Sequence, residues 1–84
     1  MRTWTLNEAR EDFERGLLKE ARIVPIEGGE WGVQLTSKIQ KDGKGWLSYS
    51  TREKLGEPRR MKSPNAAVEA ISNIGFSIRS MLIE

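Results

Sequence analysis

Apolar residues recur along this chain with two different periods, and the change between them marks out the expected elements. Leu6, Ala9, Phe13, Leu17 and Ala21 come one after another at spacings of three and four, the stripe of an amphipathic helix about four turns long. Thr5 and Glu8 frame its start as a capping box, each side chain serving a backbone amide that the first turn leaves unpaired. Gly16 falls inside the stripe, where it costs ~1 kcal/mol relative to alanine and lets the helix approach a sheet closely. From Arg22 the period becomes two. Arg22–Ile26 reads as a short strand, and Pro25, which has no N–H for a ladder, puts that strand at an edge or makes it irregular. Gly28-Gly29 is a two-residue hairpin turn, since both residues tolerate positive φ. A second strand over Trp31–Ser37 sets Trp31, Val33 and Leu35 on one face and Gly32, Gln34 and Thr36 on the other.

Lys41-Asp42-Gly43-Lys44 supplies a second turn, and Trp46–Thr51 a third strand with Leu47 and Tyr49 opposite Trp46, Ser48 and Ser50. Residues 52–62 are polar and interrupted by Gly56 and Pro58. They form either a loop or a turn at 54–57 followed by a short strand near 59–62. Ser63-Pro64 opens a second helix with serine as N-cap and proline at N1; Ala67, Val68, Ile71 and Ile74 form its apolar side, and Gly75 ends it. Phe76, Ile78 and Leu82 share one parity and predict a final strand. The expected fold is one α+β domain over residues 1–84 of order α-β-β-β-α-β, an antiparallel sheet with both helices on one face. The other face is open to water and holds small residues and a partly exposed Trp46.

Composition narrows the chemistry. The 84 residues are 37% hydrophobic, enough for one modest core, and no apolar run approaches the ~20 residues of a membrane span. The first residues lead into a charged helical pattern rather than the apolar run of a secretory signal, which predicts a cytoplasmic protein. Cysteine and histidine are absent, so disulfides, thiolate nucleophiles, imidazole bases and thiolate or imidazole zinc sites are excluded. Glu27 and Glu30 flank a hairpin where both are solvated, Gly28-Gly29 lacks the remainder of a phosphate loop, and no lysine lies in a buried pattern. The sequence thus predicts no enzyme, no catalytic residue, no cofactor and no metal.

Charge changes the picture more. The formal net charge is +2, yet residues 31–62 hold Lys38, Lys41, Lys44, Arg52, Lys54, Arg59, Arg60 and Lys62 against three acidic side chains, while residues 1–30 are net acidic. A basic middle third attracts polyanions; it equally suits hairpins kept soluble by lysine. Basic residues interleave there with Trp46 and Tyr49, and the start of the second helix aims backbone amides outward beside Arg60 and Lys62. The residues expected to contact nucleic acid, duplex DNA above all, are Lys44, Trp46, Arg52, Lys54, Arg59, Arg60, Lys62 and Ser63. The rival expectation is a protein partner on an exposed sheet edge or on the Trp46 face, or inhibition of a nucleic-acid enzyme by the acidic first helix. A homodimer through the final strand or the first strand suits the small contact area of one such module.

Two stretches carry resemblances. Trp4-Thr5-Leu6-Asn7-Glu8-Ala9-Arg10-Glu11-Asp12-Phe13, followed by Leu17-Leu18 and Ala21, resembles the first helix of Phd/YefM-type antitoxins. Pro58-Arg59-Arg60-Met61-Lys62-Ser63-Pro64-Asn65-Ala66-Ala67-Val68, with Ile74-Gly75-Phe76 downstream, resembles the C-terminal signature of small proteins carried on bacterial plasmids and other mobile elements. The α-β-β-β-α order is similar to the double-stranded-RNA-binding-domain fold. That likeness implies phosphate contact by the cluster Arg59, Arg60 and Lys62, although the helix from Pro64 to Gly75 carries no lysine or arginine. Together these imply a bacterial regulator or accessory factor of a mobile element.

Overall fold

The computed structural model describes residues 2–39, 43–49, 51–54, 56–77 and 81–83, the last three by backbone alone. Its elements are β1 (Arg2–Trp4), α1 (Leu6–Glu14), β2 (Leu18–Ile26), β3 (Glu30–Ser37), β4 (Lys44–Leu47), α2 (Pro64–Ile74) and β5 (Met81–Ile83). The class is α+β, as expected, but the sheet is mixed rather than antiparallel, with the order β1-β4-β3-β2-β5. β2 with β3 and β3 with β4 are antiparallel pairs, whereas β1 runs parallel to β4 and β5 parallel to β2. Parallel neighbours need long connections, and both outer strands have one. Alternation along a strand identifies its faces but not its direction, so the sequence leaves this open.

Two helix ends explain most of the remaining differences. The α1 start is the capping box: the Thr5 hydroxyl accepts from the Glu8 amide at 3.2 Å, and a Glu8 carboxylate oxygen accepts from the Thr5 amide at 2.9 Å. The helix, however, stops after Glu14. Gly16 is not internal to it but takes φ +73° just beyond its end. The Gly16 amide donates to the Phe13 carbonyl at 3.0 Å and the Leu17 amide to the Asp12 carbonyl at 2.8 Å, the two hydrogen bonds of a Schellman terminus. Leu18 and Ala21, the latter expected on the helical stripe, are therefore buried residues of β2. At α2 the expectation holds. Ser63 caps the Ala66 amide at 3.2 Å, proline occupies the first turn, and Gly75 closes the helix with φ +130°.

One face of the sheet builds the core. Register sets Ala21 opposite Leu35 and Ile23 opposite Val33, Leu35 opposite Gly45, and Trp4 beside Leu47. Apart from Gly45, these side chains cluster with Ala9 of α1 and with Ala67, Ala70, Ile71 and Ile74 of α2. β1 is a strand that periodicity does not predict. Trp4 is 1% exposed, its indole N–H donates to Asp12 at 2.9 Å, and Arg2 reaches the same carboxylate oxygen at 3.1 Å. Gly45 makes its approach feasible, because a Cβ there would strike the Arg2 carbonyl and the Trp4 ring.

The Gly28-Gly29 turn is present, with both φ values positive, in a three-residue loop between paired Ile26 and Glu30. Pro25 lies beyond the part of β2 that β5 covers, so its missing N–H interrupts no ladder. Of the second turn, Lys41 and Asp42 lie outside the described residues; the Ser37 amide donates to the Gly43 carbonyl at 2.7 Å. Ser50 and Ile78 also lie outside them, and the side chain of Leu82 is likewise not described.

Candidate nucleic-acid interface

The third strand ends at Leu47, earlier than its alternation suggests, and the chain beyond it shapes the candidate site. The Ser48 amide and hydroxyl both turn to the Trp4 carbonyl, at 2.7 and 3.2 Å. Ser48 is therefore buried instead of contributing to an open polar face. The chain then reverses through residues 51–57 and returns beside its own path. The Tyr49 amide donates to the Glu57 carbonyl at 3.2 Å and the Arg59 amide to the Leu47 carbonyl at 2.8 Å. Two residues on, Met61 exchanges backbone hydrogen bonds with Trp31 of β3, at 2.7 and 2.8 Å, and buries its side chain in the core. Residues 57–61 thus form a strap across the ends of β3 and β4, held by isolated bridges rather than a full strand.

This strap gathers part of the basic cluster around Tyr49. The phenol oxygen accepts from the Arg60 amide at 3.1 Å, and its hydroxyl faces the Arg60 carbonyl at 3.4 Å, fixing the ring. The Lys54 ammonium lies 5.0 Å from the ring centroid, a cation–π contact worth ~0.5–1 kcal/mol where exposed. Tyr49, Lys54, Glu57, Pro58 and Arg60 line an open pocket of about 210 Å³. The Arg60 guanidinium sits 3.8 Å from Glu30, with both side chains substantially in water. Such a surface pair contributes ~0–1 kcal/mol and is screened by salt, so a competing anion can take the guanidinium.

The other expected residues are spread more widely. Lys44 is exposed on β4 opposite Thr36. Trp46 is half-buried, the partly exposed ring expected of it. It rests on Gly32, where a Cβ would come within 3.1 Å of the ring and 2.7 Å of the Ile26 methyl. Arg52 is exposed in the reversal, and Arg59 is half-buried beside Leu47. Lys62 is exposed, while Ser63 spends its hydroxyl on the α2 cap. Pro64 has no N–H and Ala66 is already capped, so the helix start offers fewer free amides to an anion than expected. Lys54 and Arg60 meet at Tyr49; Arg52, Lys62 and Ser63 do not join that pocket. Residue types alone do not point to Glu30 and Glu57, whose proximity depends on the path of the strap. Tyr49, in sequence only an aromatic interleaved with cations, proves to be the hub.

Among the described residues no group of three or more carboxylates gathers as a metal site, and no helix is long and apolar enough to cross a membrane. No protein-family model, curated protein or solved structure matches this chain.

Proposed function

We propose that this chain is a non-enzymatic nucleic-acid-binding regulator or accessory factor that grips phosphates through the strap and reversal after β4. The observation that carries this reading is one open pocket lined by Lys54, Arg60 and Tyr49, where the Lys54 ammonium lies over the ring and the Arg60 backbone holds the phenol, with Arg52, Arg59 and Lys62 within a few residues in the chain. Exposed arginine and lysine side chains beside a half-exposed aromatic suit phosphate oxygens and bases together. Both helices on one side of the sheet would leave this surface clear of them. The resemblance to bacterial mobile-element proteins agrees with such a role in the cytoplasm.

The measurement is affinity for a short random duplex and for a single strand as a function of salt. Binding should weaken steeply between ~50 and ~200 mM salt, and Lys54→Ala/Arg60→Ala should flatten the log–log slope by about two phosphate contacts, ~1.4–1.8 units. No binding to either form at low salt sinks the proposal. A protein partner on a sheet edge ranks second: the outer strands β1 and β5 are three residues each, and edges this short resist pairing. The exposed Glu8, Glu11 and Glu14 of α1 are the feature that would serve an inhibitor of a nucleic-acid enzyme.

A further inference from the structure

The sheet face turned away from the core offers a second kind of contact. Register and alternation assign Val24 and Ile26 of β2, Gly32, Gln34 and Thr36 of β3, and Lys44 and Trp46 of β4 to this face. None of these belongs to the core cluster. The Trp46 ring packs over Gly32, with two adjacent ring atoms 3.1 and 3.4 Å from where a Cβ would stand, and the Ile26 methyl packs against the same spot. Lys44 is two residues along β4 on the same side, about 7 Å away by strand rise. Arg60 reaches this face from the strap: Met61 beside it is buried with Trp31 on the core side, and the Arg60 guanidinium meets Glu30, the register partner of Ile26. An aromatic ring therefore stands between two exposed cations on an uncovered sheet.

We infer that this face is a platform for single-stranded DNA, with an unpaired base stacked on Trp46 and the flanking phosphates met by Lys44 and Arg60. The inference rests on the nucleic-acid reading above and replaces duplex by single strand. A base within a duplex is already stacked on both sides and presents only its edges, so a ring on a flat sheet gains most from a base that is free. Charge complementarity supplies the rest. Among the described residues Lys44 has no carboxylate partner, and the only one at Arg60 is the half-buried Glu30, 3.8 Å away. Ile26 and Val24 give the stacked base an apolar flank that matches the C5-methyl of thymine, a group that uracil lacks.

The test titrates the protein with oligo(dT), oligo(U) and a duplex of the same length, reading anisotropy of the labelled strand and tryptophan emission. Oligo(dT) should bind roughly tenfold more tightly than the duplex and quench emission. Trp46→Leu should lose about tenfold on oligo(dT) and little on the duplex, while Trp46→Phe stays within about threefold. Far-UV circular dichroism checks that both variants fold. Lys44→Ala, an exposed change that leaves the core alone, should shallow the oligo(dT) salt slope by ~0.7. Equal oligo(dT) affinity for Trp46→Leu and Trp46→Phe, an unchanged slope for Lys44→Ala, or tighter binding of oligo(U) overturns the platform. If the wild type still binds duplex with a steep salt slope, the phosphate-binding reading survives that loss. If it binds no nucleic acid, both fall together.

Discussion

The two faces of this sheet are built on opposite plans. On the core side Ile23, Val33, Leu35 and Leu47 are fully buried and interlock with α2, and even a glycine, Gly45, has the Arg2 backbone directly over it. On the other side Val24, Ile26, Gln34, Thr36 and Trp46 are all half-buried, and the glycine, Gly32, meets only side chains that can move. The first face can change little without loss; the second has room to exchange contacts with a partner. A close-packed interior penalises any vacancy, whereas a surface relaxes around one.

That contrast can be broken by substitution. Leu35→Ala, which empties the centre of the core face, should lower unfolding free energy by ~2–5 kcal/mol in urea denaturation. Gly45→Ala should cost ~1–3 kcal/mol, because the new methyl meets backbone and an indole ring that cannot both move aside, and amides of β1 should exchange faster. Gly32→Ala should cost about 1 kcal/mol or less, since the Ile26 methyl and Trp46 ring can shift, while the emission of Trp46 changes. Gln34→Ala, on the same strand, should stay within ~0.5 kcal/mol. A Gly32→Ala loss equal to that of Gly45→Ala would erase the distinction between the faces.

The sequence conveys the features that depend on neighbours in the chain. The Thr5–Glu8 box, the glycine hairpin, and the α2 limits at Ser63 and Gly75 each rest on a few adjacent residues with specific backbone demands. Features that depend on distant partners are opaque. β1 is too short to display any period and becomes a strand only because β4 lies alongside, while the final strand that parity predicts is present as β5 but its parallel pairing with β2 is not written in that parity. Gly16 misleads for another reason. Ala21 fits a helical stripe and an alternating strand equally well, and only the left-handed glycine decides between them. At the candidate interface the types of residue are legible but their grouping is not. Nothing local connects Arg60 to Glu30 or to the Tyr49 hydroxyl until the strap is in place.

The placement of the outermost strands also bears on how the molecule comes together in time. β2 and β3 close over a three-residue loop, but Arg2 meets Gly45 across 43 residues of chain and Ala21 meets Met81 across 60. Closure entropy rises with the length to be closed, so the hairpin nucleates early and both margins dock late. A refolding chain therefore passes through a stage with two unclaimed borders, the moment at which it is most prone to associate with its own kind.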